Sequence, residues 1–230
     1  MSEAKRALVT GASSGIGAAV VSRLLRDGWS VIGLSRSRPA PHEADRPGYE
    51  HRPADLGEPT SLAGALADLA PVDALVHAAG MLRVGRLEED TDADAQAMWR
   101  LHVEAATQLV RSVAPGLPVS GRIVLIGSRV ANGAAARGQY AATKAALVGL
   151  ARSWAAELAP RAITVNVVAP GATDTPMLRD PARSASAPRL PPLGRFVRPE
   201  EVAGLVSFLL SDDGGSMTGQ SLIMCGGSSL

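Results

Sequence analysis

The 230-residue chain has a single cysteine, Cys225, which excludes a disulfide framework and a cysteine-based zinc site. Tyrosine occurs only at 49 and 140, and of 23 basic residues only Lys5 and Lys144 are lysine. Asparagine is confined to 132 and 166. No apolar run reaches the ~18 residues that a membrane span requires. The N-terminal MSEAKRALVT passes into a strand-like segment with no apolar signal region. A soluble, cytoplasmic protein is the expectation. Charge of one sign is also lacking: a net charge of +1 provides no basic field to hold a nucleic acid. No metal site is expected. What is present is an ordinary globular composition, 46% hydrophobic and 20% charged, sufficient for one large α/β domain. The scarcity of lysine and asparagine reads as a coding bias, which makes a retained lysine informative and a missing asparagine less so.

Short apolar runs alternate with longer helical patterns along the chain. RALVT, SVIGLS, ALVHAA, RIVLIG, ITVNVVA and SLIM are nearly continuous in apolar residues, as parallel strands covered on both faces are. A further strand is read near Tyr49–Ala54. Helices are expected over Gly15–Asp27, closed by Gly28, and over Thr60–Ala70, Asp94–Ala114, Gln139–Leu158 and Pro199–Leu210. This order predicts a doubly wound, mostly parallel sheet of Rossmann type with helices on both faces, in one domain spanning 1–230. Two segments read as irregular, Arg36–Pro53 and Pro176–Phe196. The second is long enough to suggest a substrate lid over about 176–196.

Between the first strand and the first helix lies VTGASSGIG, Val9–Gly17. Gly11 permits the tight turn, while Gly15 and Gly17 let backbone and helix approach a pyrophosphate closely. The helix N-terminus then offers free N–H groups and a positive dipole end to the anion. Alone, such a turn is equally the mark of an ordinary strand-to-helix connection. In GQYAATKAAL, Tyr140 and Lys144 stand four residues apart and share one face of the expected helix. An ammonium near a phenol favours the phenolate and lowers its pKa from about 10 toward working pH. A tyrosine so tuned exchanges a proton with a carbonyl oxygen while a nicotinamide carries the hydride. The alternative is a surface Tyr–Lys pair without chemistry.

These features, in order, resemble the single-domain branch of the short-chain dehydrogenase/reductase family. The resemblance covers nearly the whole chain: Thr10-Gly11-x-x-x-Gly15-x-Gly17, Asp55-Leu56, Ala78-Ala79-Gly80, Ser128, Tyr140-x-x-x-Lys144, Pro170-Gly171, and the tail from Pro199 to Gly227. It implies hydride transfer between NADP or NAD and a carbonyl or secondary alcohol. Tyr140 would be the acid/base, Lys144 would tune it and hold the nicotinamide ribose, and Ser128 would bond the reacting oxygen. The cofactor would lie against Gly11, Ser13, Ser14, Gly15, Ile16 and Gly17. Asp55 would accept from the adenine amino group, with Leu56 beside the ring, and Ala78, Ala79 and Gly80 would close the strand end. Pro170, Gly171, Thr173 and Thr175 would meet the nicotinamide carboxamide. A homotetramer is implied, with Asp94–Ala114 and Gln139–Leu158 packing across a two-fold axis through Ala105, Ala106, Ala145 and Ala146.

The chain departs from the family pattern at two asparagines. His77 opens the segment where the family has Asn-Asn-Ala-Gly, and His102 stands where a catalytic asparagine completes a proton relay. Two readings stay open: both are structural histidines, or His102 serves the relay, since imidazole titrates near neutrality. The second strand ends at Ser35-Arg36 rather than at a carboxylate. A guanidinium suits a 2′-phosphate, so NADP is expected over NAD, against the alternative that Arg36 is a solvated surface residue. In the lid, Met177, Leu178 and Leu190 offer apolar lining and several arginines offer charge, which leaves the substrate open. A catalytically idle dinucleotide-binding protein, or an epimerase or dehydratase on the same fold, also fits the sequence.

Overall fold

The computed structural model describes residues 4–40, 44–180 and 189–230. Seven strands form one sheet: β1 (Arg6–Thr10), β2 (Ser30–Ser35), β3 (Tyr49–Pro53), β4 (Ala74–His77), β5 (Arg122–Ile126), β6 (Thr164–Pro170) and β7 (Ser221–Met224). Their spatial order is β3-β2-β1-β4-β5-β6-β7, and every pairing is parallel. Chain order reverses between β1 and β4, so the carboxyl ends of these two strands flank a crevice of the kind in which ligands bind.

Each strand is apolar on both faces because both faces are covered. On one face Leu8, Leu34, Leu75, Ile123, Leu125 and Val167 pack under α2 (Pro59–Leu66), α4 (Ala105–Val113) and α5 (Gly138–Leu158). On the other, Val9, Val31, Val76, Val124 and Val168 pack under α1 (Gly15–Arg26) and α6 (Pro199–Leu210). The period-two assignment of side chains to alternate faces makes two cores out of one sheet.

Three expectations are corrected. The helix read as continuous over Asp94–Ala114 is α3 (Asp92–Trp99), a π turn over Arg100–Glu104, and then α4. One inserted residue re-aims His102 and Val103, both buried, toward the sheet. Ala105 and Ala106 are buried at 2% and 0% exposure in the core under α4, so they pack on their own sheet and are not available to a partner. The strand ALVHAA ends at His77, because Ala78 and Ala79 turn their N–H groups onto the Thr10 hydroxyl at 3.1 Å each. The segment near Tyr49, by contrast, is a strand on the sheet edge.

Asn166, one of two asparagines, is fully buried in β6. Its Nδ2 donates to the Met217 carbonyl at 2.6 Å and its Oδ1 accepts from the Gln220 N–H at 3.1 Å, which fastens the approach to β7. Replacing Asn166 with Ala removes both bonds and deprives the part-buried Met217 carbonyl and Gln220 N–H of their side-chain partner. The expected loss is about 1–3 kcal/mol of unfolding free energy. Urea denaturation of the variant checks this, and an unchanged midpoint would refute it.

Candidate active site

The first strand-to-helix turn is a cradle that side chains would fill. A Cβ on Gly17 would sit 2.1 Å from the Gly11 carbonyl oxygen, and one on Gly11, at φ +67°, would meet the Ala79 backbone at 2.9 Å. Ser14 is the N-cap of α1 but makes no side-chain capping bond, so it leaves the first helical N–H groups available to an anion. Ser13 is half-buried and Ile16 packs partly on the α1 core, which fixes the turn from beneath. These residues fit a dinucleotide pyrophosphate. The β6 exit closes over the same turn. Gly171 N–H donates to the Met224 carbonyl at 2.9 Å after Pro170 ends the strand. The Thr173 hydroxyl donates to the Gly171 carbonyl at 3.1 Å, and Thr175 Cγ2 stands 3.3 Å from where a Gly15 Cβ would be. The loop expected to hold the pyrophosphate and the loop expected to meet the nicotinamide carboxamide therefore face one another.

At the end of β2, Ser35 is buried and its hydroxyl is committed. It donates to the Ser37 carbonyl at 2.9 Å and faces His51 Nε2 at 3.1 Å. What this end offers a ligand is Arg36, an exposed residue with no ion pair among the described residues, whereas Arg38 is paired with Asp45 at 2.9 Å. Asp55 spends Oδ1 on the Gly57 N–H at 2.9 Å and keeps Oδ2. Leu56 corrects an expectation: it is 5% exposed and turned into the core, so it presents almost no side chain to a ring.

At the other end of the crevice stand Ser128, Tyr140 and Lys144. Ser128 follows β5, and its Oγ accepts from the Val130 N–H at 3.1 Å, opening a 3-10 turn over Arg129–Asn132. Its own hydroxyl hydrogen is left to donate. Lys144 is 4% exposed; its Nζ donates to the Ile126 carbonyl at 2.9 Å and lies 5.7 Å from the Tyr140 ring centroid. Burial pushes the ammonium down to about 7. One turn of α5 and one strand end thus bring the three groups to a single wall, through the i, i+4 spacing legible in the sequence.

Both histidines are behind that wall. His77, at 1% exposure, meets the Thr10 hydroxyl through Nδ1 at 2.9 Å. Burial first, and the Lys144 charge second, push its pKa down to about 3. His102 is wholly buried, with Nδ1 2.9 Å from Thr143 Oγ1 and Nε2 accepting from the Met81 N–H at 3.0 Å. Burial, then Lys144, then His77 hold it well below the usual range, so it does not supply the titration near neutrality that imidazole suggests. Gly80 is confined by both groups: a Cβ there would lie 3.2 Å from His102 Nε2 and 3.6 Å from Lys144 Nζ. Thr143 and Met81 were not legible as site residues. A threonine three places after the tyrosine, on a helix facing a histidine, is the only hint in the sequence. The segment expected to be a lid is described in part. Pro176–Arg179 forms a 3-10 turn with Met177 exposed, and Pro191 and Pro192 seat on Gly226 and Gly227, while 181–188 lie outside the described residues. Leu178 is half-buried and Leu190 exposed. Among the described residues no group of three or more His, Cys, Asp or Glu could hold a metal ion, and no helix is long and apolar enough to cross a membrane.

A parallel sheet with a glycine cradle at one end of the switch-point crevice and a Ser–Tyr–Lys wall at the other defines a dinucleotide-binding oxidoreductase class. The chain belongs to the short-chain dehydrogenase/reductase family: residues 11–229 match the family model described as enoyl-(acyl carrier protein) reductase. It is 37% identical to the 3-oxoacyl-[acyl-carrier-protein] reductase FabG of Salmonella typhimurium over 238 residues, covering 98% of this chain and 97% of that one. It is 35% identical to the L-xylulose reductase of Mus musculus, covering 97% and 96%. The crystal structure of a short chain dehydrogenase from Burkholderia cenocepacia in complex with NADP superposes with a TM-score of 0.88 at 35% identity, covering 98% of both chains.

The depressed value of His77 has a consequence for stability. In the unfolded chain a histidine takes up a proton below about 6.5, whereas folded His77 does so only near 3. Its stabilising share is present above 6.5 and is lost as pH falls between those values, at about 1.4 kcal/mol per pH unit. Denaturant unfolding at a series of pH values should show this slope, and His77→Asn should flatten it by one proton. An unaltered slope in that variant would contradict the assignment.

Proposed function

We propose that the protein transfers a hydride between NADP(H) and a carbonyl or secondary alcohol. The observation that carries the reading is the Ser–Tyr–Lys wall: a serine hydroxyl with no bond through its hydrogen among the described residues, and a tyrosine ring whose centroid lies 5.7 Å from the ammonium of a buried lysine. The nicotinamide, when bound, supplies or receives the hydride. Ser128 donates to the substrate oxygen and stabilises charge as it develops there. Tyr140 gives that oxygen its proton in reduction and takes it back in oxidation. Lys144, held against the Ile126 carbonyl, favours the phenolate by proximity and so lowers the cost of moving that proton. The glycine cradle holds the pyrophosphate and the β6 exit the nicotinamide end of the dinucleotide, and the segment around 176–196, of which 181–188 lie outside the described residues, serves as the substrate lid.

NADP is favoured over NAD by the exposed guanidinium of Arg36, which has no ion pair among the described residues, and by Ser35 standing at the end of β2 in place of a carboxylate. The NADP complex of the Burkholderia relative agrees with this. The relatives act on carriers and on a sugar by name, so the carbonyl substrate is left at the level of class. A homo-oligomer, a tetramer by family resemblance, is supported by the exposed Ala145 and half-buried Ala146 of α5, which allow close approach of a partner helix.

Tyr140→Phe removes the proton donor while sparing the dinucleotide cradle. Turnover with a panel of ketones and NADPH is expected to fall by roughly 10²–10⁴, with NADPH affinity by fluorescence essentially retained. Substantial turnover in this variant would take Tyr140 out of the acid role.

Replacing Ser35 with Asp and Arg36 with Ala exchanges a phosphate-seeking end for one that accepts a free 2′-hydroxyl. Affinity for NADPH is expected to drop by about one decade, the lower end for a charge-assisted contact because Arg36 is exposed. NADH should gain. Binding constants for both cofactors at one ionic strength decide the matter, and a wild type that prefers NADH sinks the idea. For the oligomer, a monomer in sedimentation at micromolar concentration is the refuting result.

A further inference from the structure

The two histidines behind the wall can be assigned tautomers from their partners. The Thr143 hydroxyl has one hydrogen, and it goes to the Tyr140 carbonyl at 2.8 Å, because a carbonyl can only accept. Thr143 Oγ1 therefore accepts from His102, and the His102 proton is on Nδ1. Nε2 is correspondingly bare, which is what the Met81 N–H requires of it. His77 is the opposite case. Thr10 Oγ1 accepts from both Ala78 and Ala79 N–H, so its hydrogen goes to His77 Nδ1, and the His77 proton is on Nε2. That N–H is wholly buried without a well-formed bond and is drawn toward the Leu101 and His102 carbonyls of the π turn.

We propose that His102 is a positioning residue that clamps the Tyr140 turn of α5 to the strand-end loop at Met81, and that it carries no proton in the reaction. The chain of bonds runs from the Met81 N–H through the imidazole to Thr143 and ends on the backbone carbonyl of Tyr140, in the residue that bears the reacting phenol, and a carbonyl passes no proton on. Both ring nitrogens are used. A second proton would have to go on Nε2, where it would face the Met81 N–H as donor against donor at 3.0 Å. The titratable groups that bear on the ring are Tyr140 and Lys144 of α5 and His77 of β4, and the two that act on its charge, Lys144 and His77, both oppose a further proton. The ring edge also stands against the phenol, with centroids 5.7 Å apart at 82°, so the clamp fixes the tyrosine ring as well as its backbone.

The proposal rests on the functional reading above only in its kinetic part. The test therefore has an arm that needs no substrate. In the full-length protein labelled with 15N-histidine, His102 should carry its proton on Nδ1 and His77 on Nε2, with neither titrating between about pH 8 and 5.5. A His102 that titrates in that range, or that carries its proton on Nε2, overturns the clamp even if the protein never turns over a carbonyl. In the kinetic arm His102→Gln keeps an acceptor near Met81, His102→Asn keeps a donor near Thr143, and Thr143→Val removes the far end. Each is expected to lower kcat by roughly tenfold to a hundredfold, with KM for NADPH within about twofold and the apparent pKa of the pH profile unmoved. A relay would behave differently: an apparent pKa would shift, and added imidazole would restore rate to His102→Gln or His102→Asn. Either result refutes the proposal.

Discussion

A buried ammonium without a carboxylate is the constraint on which the rest of the site depends. Lys144 has 4% of its surface exposed, and among the described residues its one hydrogen bond is to the Ile126 carbonyl. Moving such a group out of water is costly, and burial alone accounts for its lowered pKa. The placement makes sense only if the charge does something at that position that a solvated lysine could not. In a medium of low polarizability the attraction between ammonium and developing phenolate is larger than in water. In the function proposed above, the expense of burying the charge is the source of its leverage on Tyr140.

The same charge dictates what can surround it. A histidine beside a buried ammonium stays neutral, and a neutral imidazole is one donor and one acceptor. Once both are neutral, the hydroxyls of Thr10 and Thr143 fix which nitrogen is which, because each hydroxyl has a single hydrogen to give. The opposite tautomers of His77 and His102 are thus consequences of the bonding order, which begins at backbone groups of the β4 end and of α5. The π turn belongs to this arrangement. It presents His102 to the sheet side and leaves the Leu101 and His102 carbonyls facing the His77 N–H.

Much of this was legible in the sequence, and the parts that were not share a cause. Apolar runs located six of the seven strands, because a sheet buried on both faces writes itself as uninterrupted apolar residues, and the seventh, on the sheet edge, was read near Tyr49 without such a run. Tyr140 and Lys144 were legible because helical spacing alone puts them on one face. The π turn has no residue signature: the segment WRLHVEAA reads as uninterrupted helix, and only the packing of His102 and Val103 shows the inserted residue. Ala105 and Ala106 misled for the same reason, since a single insertion shifts which face of the following helix is apolar. Leu56 and Ser35 were assigned to a ligand by motif, yet Leu56 is spent on the core and the Ser35 hydroxyl on the turn at Ser37. Motif position gives the neighbourhood of a ligand, while the hydrogen-bond inventory decides which atoms remain to meet it.

The retained asparagine and the two histidines can be understood on one footing. Asn166 uses a donor and an acceptor on the same carbon to bond two backbone groups three residues apart, a span that suits an amide. His77 and His102 also pair one donor with one acceptor, but on ring atoms that reach further and point away from each other. Met81 and Thr143 lie on separate elements on either side of His102, so a bridge between them needs that longer reach. A neutral imidazole is then an extended amide, in a chain with only two asparagines. It works as one only while it stays neutral. Burial first, and the ammonium of Lys144 second, keep it so, and in the function proposed above the group that tunes the tyrosine also helps to preserve the scaffold that aims it.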